Sequence, residues 1–213
     1  NGIRSEGLKP VFISKTFPNH YSIATGMYAE SHGLIANSFF ASDLNKHYSI
    51  LDRESVENGD FYGGEPIWVT AERQGVKTAS YFWVGTEAAV AGVYPSISKR
   101  YDQKVPFDDR IDSVMTWFSL PMSHRPRLIM LYFHEPDWTG HEYGPSSAET
   151  VDQIQRMDGI MGTIMDKAGK LSIADKLNVL VVSDHGMTEV HPKQIIDLSA
   201  YTDLSHVTTT GAG

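Results

Sequence analysis

The sequence predicts an α/β fold with a largely parallel central sheet and helices on both of its faces. Four short apolar runs are spaced along the chain, and the last two, R-L-I-M-L-Y-F and L-N-V-L-V-V-S, are almost continuously apolar. Continuous apolar character is typical of parallel strands that are covered on both sides. Segments with helical periodicity lie between the runs, and a strand–helix–strand order produces right-handed crossovers with helices packed against the sheet.

The four apolar runs are the predicted buried strands, at residues 10–14, 78–84, 127–133 and 177–183. The first run is followed at once by T-F-P-N-H. Pro18 in this stretch favours the first turn of a helix, because its missing N–H is not needed there. We therefore predict that Thr16 stands between the end of a strand and the start of a helix.

Two more helices are predicted from apolar periodicity. After Pro106, apolar side chains recur at i, i+3, i+4 and i+7, with two aspartates near the N-terminus. Ser146-x-x-Glu149 is a capping-box pattern that opens a longer helix, and Gly169 ends it. The predicted apolar faces of these helices are Ile111, Val114, Met115 and Phe118, and then Val151, Ile154, Met157, Met161, Ile164 and Ala168.

Residues 37–64 have no clear period and are rich in Asn, Asp, Ser and Gly. They are interpreted as a long surface excursion, which in a compact domain is often functional. His20 lies in the predicted first helix, and a helix-surface or loop-packing role is expected for it.

Composition excludes several classes of function. The net charge is −8 and the sequence has no basic run, which argues against a nucleic-acid groove or an anionic membrane surface as the partner. The sequence has no cysteine, so disulfides and thiolate metal sites are excluded within it. No apolar stretch long enough for a membrane span appears. A phosphate bound by this chain would need bound cations to neutralise it.

Chemically active side chains follow three of the four predicted strands. Thr16 follows the first, Asp137 and His141 follow the third, and Asp184 and His185 follow the fourth. The carboxyl ends of parallel strands meet at one edge of a sheet, where ligands bind in open α/β folds. Carboxylate with neutral imidazole, in the absence of thiolate, suits zinc or a similar divalent cation. A D-H-G triplet alone is more often a capped turn, so the prediction depends on the convergence of all these groups.

Several specific blocks of the sequence resemble one family. They are K-T-F-P-N-H-Y-S-I-A-T-G-M-Y-A-E-S-H-G-L-I-A-N, E-P-I-W-V-T-A, Y-F-W-V-G-T-E, V-P-F-D-D-R, Y-F-H-E-P-D-W-T-G-H-E-Y-G-P and S-D-H-G-M. In this order they resemble the ectonucleotide pyrophosphatase/phosphodiesterases of the alkaline phosphatase superfamily, from about Lys9 to Met187. The resemblance implies an alkaline-phosphatase-like sandwich and makes residues 1–213 a partial phosphodiesterase catalytic domain, truncated at both ends.

The resemblance also implies a site with two Zn²⁺ ions. Thr16 corresponds to the nucleophile and to a ligand of one zinc, which Asp184 and His185 also bind. Asp137 and His141 correspond to ligands of the other zinc. The family pattern has one further Asp upstream of Asn1 and one further His downstream of Gly213. Each site therefore lacks one ligand within this chain, and we expect the fragment alone to be nearly inactive.

Three residues correspond to substrate-binding positions of the family. Asn37 stands where the family has a donor to a phosphate oxygen, and Phe17 and Tyr101 stand where nucleotide-specific members sandwich the base. The implied activity is hydrolysis of phosphodiester or pyrophosphate bonds in nucleotides, through a phosphothreonine-type intermediate that water resolves to a nucleoside 5′-monophosphate. A nucleotide or a related small phosphodiester is the implied partner, and an extracellular or cell-surface location is implied.

Two alternatives stay open at the level of sequence. One is a lipid-headgroup phosphodiesterase of the same family, which would cleave choline lysophospholipids. The flanking aromatic side chains of Phe17 and Tyr101 favour nucleotides, because both can stack on a base. The other is a non-catalytic surface or interaction protein that retains the fold.

Overall fold

The computed structural model describes residues 2–191 and 196–207 of the 213-residue chain. The seven α-helices in this part of the chain are α1 Thr16–Thr25, α2 Ala29–His32, α3 Arg53–Glu57, α4 Ile67–Arg73, α5 Phe107–Phe118, α6 Asp137–Tyr143 and α7 Ala148–Gly169. The strands there are β1 Ser38–Ala41, β2 Lys46–Ser49, β3 Thr78–Tyr81, β4 Ile97–Lys99 and β5 Leu128–Leu131. Short 3₁₀ helices occur at Gly59–Phe61, Ala174–Lys176 and Leu198–Ala200.

A parallel sheet of three strands, in the order β4-β3-β5, forms the centre of the fold. Ala79 of β3 pairs with Ile97 of β4 and with Ile129 of β5, both in parallel register. The predicted α/β class and parallel sheet are thus confirmed. Strand β3 is shorter than the predicted run, because Phe82 adopts a positive φ of 73° and turns the chain out of the sheet.

Helices pack on both faces of the sheet, as predicted. On one face, Ala79 and Tyr81 pack with Val114 and Trp117 of α5. On the other face, Met130 of β5 joins a larger cluster that includes apolar side chains of α1 and α4, namely Tyr21, Ala24, Trp68 and Val69. The alternation of strand side chains between two helical layers follows from the two-residue period of a strand.

Two of the four predicted strands are absent from the described structure. Residues 10–14 are irregular. The side chain of Asn19 makes the hydrogen bonds with this segment that a neighbouring strand would make. Its Oδ1 accepts from Val11 N–H at 2.8 Å and its Nδ2 donates to Ile13 O at 3.0 Å. Residues 177–183 are also irregular, and Leu180 within them is 86% exposed. An apolar run forms a strand only where a second strand supplies hydrogen bonds and a packing surface, and no such strand lies beside this segment in the described residues.

The interpretation of residues 37–64 as a surface excursion was wrong in part. They contain the antiparallel pair β1–β2, in which Phe39 lies opposite Tyr48. Both of these aromatic side chains, together with Phe61 and Tyr62, belong to the larger apolar cluster. Polar turns mask the strands in the sequence, because each strand is only four residues long.

The long helix is confirmed, with two corrections. Its N-cap is Ser147, whose side chain accepts a hydrogen bond from Thr150 N–H, so the predicted cap at Ser146 is displaced by one residue. Of the predicted apolar face, Ile164 and Ala168 are buried, whereas Val151 and Ile154 are about half exposed. Helix α5 begins after Pro106 as predicted, and Ile111 and Val114 on it are buried.

Within the described residues, no helix combines the length and the apolar character that are needed to cross a membrane.

Candidate functional site

Helix α1, helix α6 and the loop 183–187 converge on one small region. The hydroxyl oxygen of Thr16, the first residue of α1, lies 3.3 Å from Nε2 of His185. The same nitrogen lies 3.9 Å from Oδ1 of Asp137, the first residue of α6, and 3.3 Å from Oδ2 of Asp184. His141 Nε2 lies 3.5 Å from Asp137 Oδ1. The structure therefore brings together all five of the side chains that the sequence predicts as metal ligands.

Hydrogen bonding orients His185 for contact through its Nε2 atom. Nδ1 of His185 lies 2.9 Å from the carbonyl oxygen of Gly186, an arrangement in which Nδ1–H donates to the carbonyl. The Nε2 lone pair then faces Thr16 and the two carboxylates. Ser183 Oγ donates to the His185 carbonyl oxygen at 2.7 Å and steadies the backbone of the loop. An Nδ1–H bond to a carbonyl is a usual way to leave Nε2 available to a metal.

Helix α6 holds Asp137 and His141 on one face because they are four residues apart. Oε2 of Glu135, just before the helix, accepts hydrogen bonds from Thr139 N–H at 3.1 Å and from Thr139 Oγ1 at 2.9 Å. Glu135 thus satisfies a backbone donor of the first turn. Asp137 Oδ1 is buried and has no hydrogen-bond partner, although a buried carboxylate oxygen normally requires one.

Gly140 and Met187 link helix α6 to the loop that follows His185. A Cβ atom on Gly140 would lie 2.6 Å from Met187 Sδ and 3.2 Å from its Cε, closer than real Cβ contacts. The absence of a side chain at this position therefore lets the loop pack directly against the helix. This contact joins the helix of the Asp137–His141 pair to the loop of the Asp184–His185 pair.

His20 belongs to this region, which the sequence prediction missed. It was expected on a helix surface or in loop packing, but it is buried, and its Nδ1 lies 3.4 Å from Asp184 Oδ2 and 2.8 Å from the carbonyl oxygen of Thr16. Burial lowers the pKa of His20, while the neighbouring Asp184 carboxylate opposes this shift. The available signal was the four-residue spacing from Thr16, which places both side chains on one face of α1.

Asn37 supports the start of helix α1. Its Oδ1 accepts a hydrogen bond from the N–H of Phe17 at 3.2 Å, which orients the side-chain amide so that Nδ2 is the remaining donor. Pro18 has no N–H, so two of the first three positions of α1 have no N–H to offer to an anion. The side-chain amide of Asn37 therefore stands in for donors that a helix N-terminus would otherwise supply.

The two aromatic side chains predicted to hold a base lie in different surroundings. Phe17 packs against the larger apolar cluster, with its ring 6.4 Å from that of Tyr48. Tyr101 is 38% exposed, and its ring lies 5.1 Å from that of Phe82 and 6.3 Å from that of Tyr132. In the described residues, the structure shows no ring contact between Phe17 and Tyr101, so they do not pack on each other.

The backbone of Tyr101 is fixed by an ion pair. The N–H of Tyr101 donates to Oε2 of Glu87 at 3.0 Å, and the same carboxylate binds the guanidinium of Arg53. Glu87 is only 11% exposed at its side chain. The charged pair therefore anchors the backbone at Tyr101, just after β4, while the ring of Tyr101 remains accessible.

The donor atoms of the site fit a divalent metal. Carboxylate and imidazole groups converge without thiolate, and the buried, unpartnered Asp137 Oδ1 lies between two imidazole nitrogens. This donor set suits zinc. Among the described residues, however, no three or more acidic or imidazole side chains are arranged so that together they could hold one metal ion. The five candidate side chains therefore do not by themselves complete a metal site in the described residues.

Comparison with known proteins adds sequence relatives over nearly the whole chain. Human ectonucleotide pyrophosphatase/phosphodiesterase family member 1 is 44% identical over 200 residues, which cover 94% of this chain and 22% of the human protein. The venom phosphodiesterase CdcPDE of Crotalus durissus collilineatus is 40% identical over 202 residues, which cover 95% of this chain and 24% of the venom protein. The chain spans less than a quarter of the length of these curated relatives.

Solved structures extend the likeness to the fold. Murine ectonucleotide pyrophosphatase/phosphodiesterase 5 superposes with a TM-score of 0.84 at 33% identity, over 97% of this chain and 55% of that one. An inactive variant of the same murine protein, in complex with AMP, superposes equally well. These neighbours confirm the alkaline-phosphatase-like fold that the resemblance implied. The family model described as type I phosphodiesterase/nucleotide pyrophosphatase matches residues 1–213, and the chain therefore belongs to that family.

Proposed function

We propose that this chain is the core of a zinc-dependent phosphodiesterase domain that hydrolyses phosphodiester and pyrophosphate bonds of nucleotides and releases nucleoside 5′-monophosphates. The observation that carries the proposal is the position of the Thr16 hydroxyl, at the first residue of α1 and 3.3 Å from His185 Nε2. The names of the human and venom relatives support the reaction class. The inactive murine variant with AMP bears a threonine-to-alanine change, which supports a threonine as an essential residue in that protein.

Thr16, Asp184 and His185 would hold one zinc, and Asp137 and His141 would hold the other. The proposal includes one further ligand for each site outside residues 1–213, as the family resemblance implies, and the experiments below use a longer protein that includes both. When bound, zinc lowers the pKa of a coordinated hydroxyl and neutralises charge on a phosphate. This would provide the positive field that a chain of net charge −8 does not itself supply.

Thr16 would take part in two displacements, as the nucleophile in the first and as the leaving group in the second. In the first, its Oγ1 forms a bond to phosphorus, the bond from phosphorus to the leaving group breaks, and the hydroxyl proton passes to solvent. In the second, water cleaves the threonine ester, releases the nucleoside monophosphate and restores the hydroxyl. The hydroxyl is a weak nucleophile at its free pKa, so its activation is the central requirement of the site.

Asn37 and the two aromatic residues would bind the substrate. The side-chain amide of Asn37, oriented by Phe17 N–H, would donate to a phosphate oxygen. Tyr101 offers an exposed ring on an anchored backbone, which suits stacking on a base. An extracellular or cell-surface location belongs to the same proposal, since the relatives include venom enzymes and proteins named as ectoenzymes.

The test compares Thr16→Ala with Thr16→Ser, using the p-nitrophenyl ester of a nucleoside monophosphate. Thr16→Ala should lower kcat by about a thousandfold or more, because the attacking oxygen is lost. Thr16→Ser should keep substantial activity, because only a methyl group is removed. His191→Ala is the control and should be silent, since His191 is exposed.

Three results would contradict the proposal. A Thr16→Ala enzyme within about tenfold of the parent, roughly 1.4 kcal/mol in the barrier, would return Thr16 to a structural role. A parent that cleaves a choline lysophospholipid but no nucleotide ester would favour the lipid alternative. A parent that binds zinc but cleaves neither would favour the non-catalytic alternative.

A further inference from the structure

His20 is the side chain through which helix α1 contacts Asp184. Its Nδ1 atom faces two oxygens, the Thr16 carbonyl at 2.8 Å and Asp184 Oδ2 at 3.4 Å. The side chain of His20 is 8% exposed and that of Asp184 is 20% exposed. A carboxylate that is largely withdrawn from water requires a donor near it. The hydrogen bond of Nδ1 is made with the Thr16 carbonyl, and Asp184 Oδ2 lies at ion-pair distance from the same nitrogen.

The ring of His20 is held by side chains that directly follow strands β3 and β5. Trp83, just after β3, and Tyr132, just after β5, both contact the ring edge-on, at centroid distances of 5.0 and 5.1 Å. The indole Nε1 of Trp83 also donates to the His20 carbonyl oxygen at 3.2 Å. Because both ring neighbours directly follow strands of the sheet, the sheet fixes the direction of Nδ1.

Asp184 lies in an irregular segment outside the sheet. It follows residues 177–183, which pair with no strand in the described structure and expose Leu180 and Val181. Its Oδ2 lies between two imidazole nitrogens, His20 Nδ1 at 3.4 Å and His185 Nε2 at 3.3 Å. Of these two, only His20 belongs to a helix that packs on the sheet. The contact from His20 is thus the route by which the rigid fold can set the orientation of this carboxylate.

We propose that His20 is a positioning residue, whose imidazole, facing Asp184 through Nδ1, holds the Asp184 carboxylate in the orientation in which Asp184 and His185 bind zinc. The inference rests on the proposed zinc site. Hydrogen-bond partners of metal ligands typically change metal affinity by about 10–100-fold when they are removed. His20 would touch neither the substrate nor the reacting atoms.

The experiment compares His20→Asn with His20→Leu. The two replacements have similar size and both remove the ring contacts with Trp83 and Tyr132, so the loss of packing is matched. The amide nitrogen of Asn can occupy the position of Nδ1 and donate, whereas Leu has no donor. Zinc affinity is measured on the longer protein by competition with a chelator, and the melting temperature of the zinc-free protein is measured in parallel.

We expect His20→Leu to bind zinc about 10–100-fold more weakly than the parent, and His20→Asn to recover most of this loss. A purely structural role predicts the opposite order, because Leu suits a buried apolar site better than an amide does. An Asn variant that binds zinc no better than the Leu variant would overturn the inference, whatever the melting temperatures.

His32 provides the matched control. It is also a buried histidine, on the next helix, and its ring contacts Ser22 Oγ at 2.9 Å and Leu34 N–H at 3.2 Å. His32→Asn and His32→Leu should leave zinc affinity unchanged.

Asp184→Ala separates the failure of this inference from the failure of the proposed function. If Asp184→Ala leaves zinc affinity intact, the proposed zinc site is wrong. If it abolishes zinc binding while His20→Asn and His20→Leu bind zinc equally well, only the role of His20 is wrong.

Discussion

The two acid–imidazole pairs of the site are built in different ways. Asp137 and His141 stand one turn apart on helix α6, and their side chains are 41% and 67% exposed. Asp184 and His185 are adjacent in a loop, and their side chains are 20% and 13% exposed. Helix geometry alone brings the first pair together. The second pair depends on contacts from other parts of the fold, so its geometry is a tertiary property.

This difference suggests how each pair can fail. A substitution in the helical pair removes one ligand and leaves its neighbour in place. A substitution in the loop pair also disturbs the contacts to Thr16 and His20. The following predictions test this comparison, beginning with the largest expected effect.

Removing one member of either pair should abolish hydrolysis. His141→Ala and His185→Ala should each lower kcat by about a thousandfold or more, roughly 4 kcal/mol in the barrier, and should lower the zinc content. The difference should appear in the zinc-free protein, where His185→Ala lowers the melting temperature and His141→Ala, at an exposed position, does not. Activity, zinc content and thermal unfolding are measured together. Near-normal zinc and rate in His185→Ala would remove the loop pair from the site.

Tyr101→Ala tests whether both pairs act independently of base recognition. Stacking on an aromatic side chain contributes about 1–3 kcal/mol per base, so KM for nucleotide esters should rise by roughly one to two decades. A small phosphodiester without a base should be cleaved about as before. Tyr101 suits this test better than Phe17, because Phe17 also packs on the apolar cluster. An equal loss on both substrates would place Tyr101 in the scaffold.

Gly140→Ala tests whether the contact between Gly140 and Met187 sets the separation between the pairs. The new Cβ would meet Met187 Sδ at 2.6 Å, and the flexible methionine would have to shift and move the loop with it. We expect a loss of about tenfold in kcat, near 1.4 kcal/mol, which is relieved when Met187→Ala is combined with it. Gly159→Ala on α7 is the control, because a methyl group at this position would meet no neighbouring part of the protein within 4 Å. This control should stabilise the helix by about 0.5–1 kcal/mol. Full activity of Gly140→Ala would show that the two pairs tolerate a change in spacing.

The smallest effect on activity is expected at a histidine that lies outside both pairs and affects stability instead. Burial lowers the pKa of His32 from 6.5 to about 4, so the unfolded chain binds a proton that the folded chain does not bind between these values. Above about pH 6.5 His32 is neutral in both states and does not reduce stability. As the pH falls towards 4, the free energy of unfolding decreases by about 3 kcal/mol, because only the unfolded chain takes up the proton. His32→Asn keeps an acceptor for Leu34 N–H and should flatten this part of the pH profile, as measured by denaturant unfolding. A parallel decline in parent and variant would show that other groups cause the acid sensitivity.

Much of the fold was predictable because its signals are local. The i, i+3, i+4, i+7 pattern of α5, the length and end of α7, and the apolar runs of β3 and β5 all appear in the structure. Periodicity records which face of an element is buried, and this information is present in the order of residues. The proximity of Asp137 and His141 was predictable for the same reason, because their four-residue spacing places both side chains on one face of α6.

The sequence by itself determined the α/β class, the family and the residue types that can form a site, because motifs and periodicity depend on neighbouring residues. Only the tertiary structure decided that residues 10–14 and 177–183 do not join the sheet, that β1 and β2 carry core aromatic side chains, and that His20 faces Asp184. The physical reason is the same in each case. Strand pairing, burial and contact between distant side chains require a partner at a particular place, and the location of that partner is set by packing over the whole fold rather than by local order.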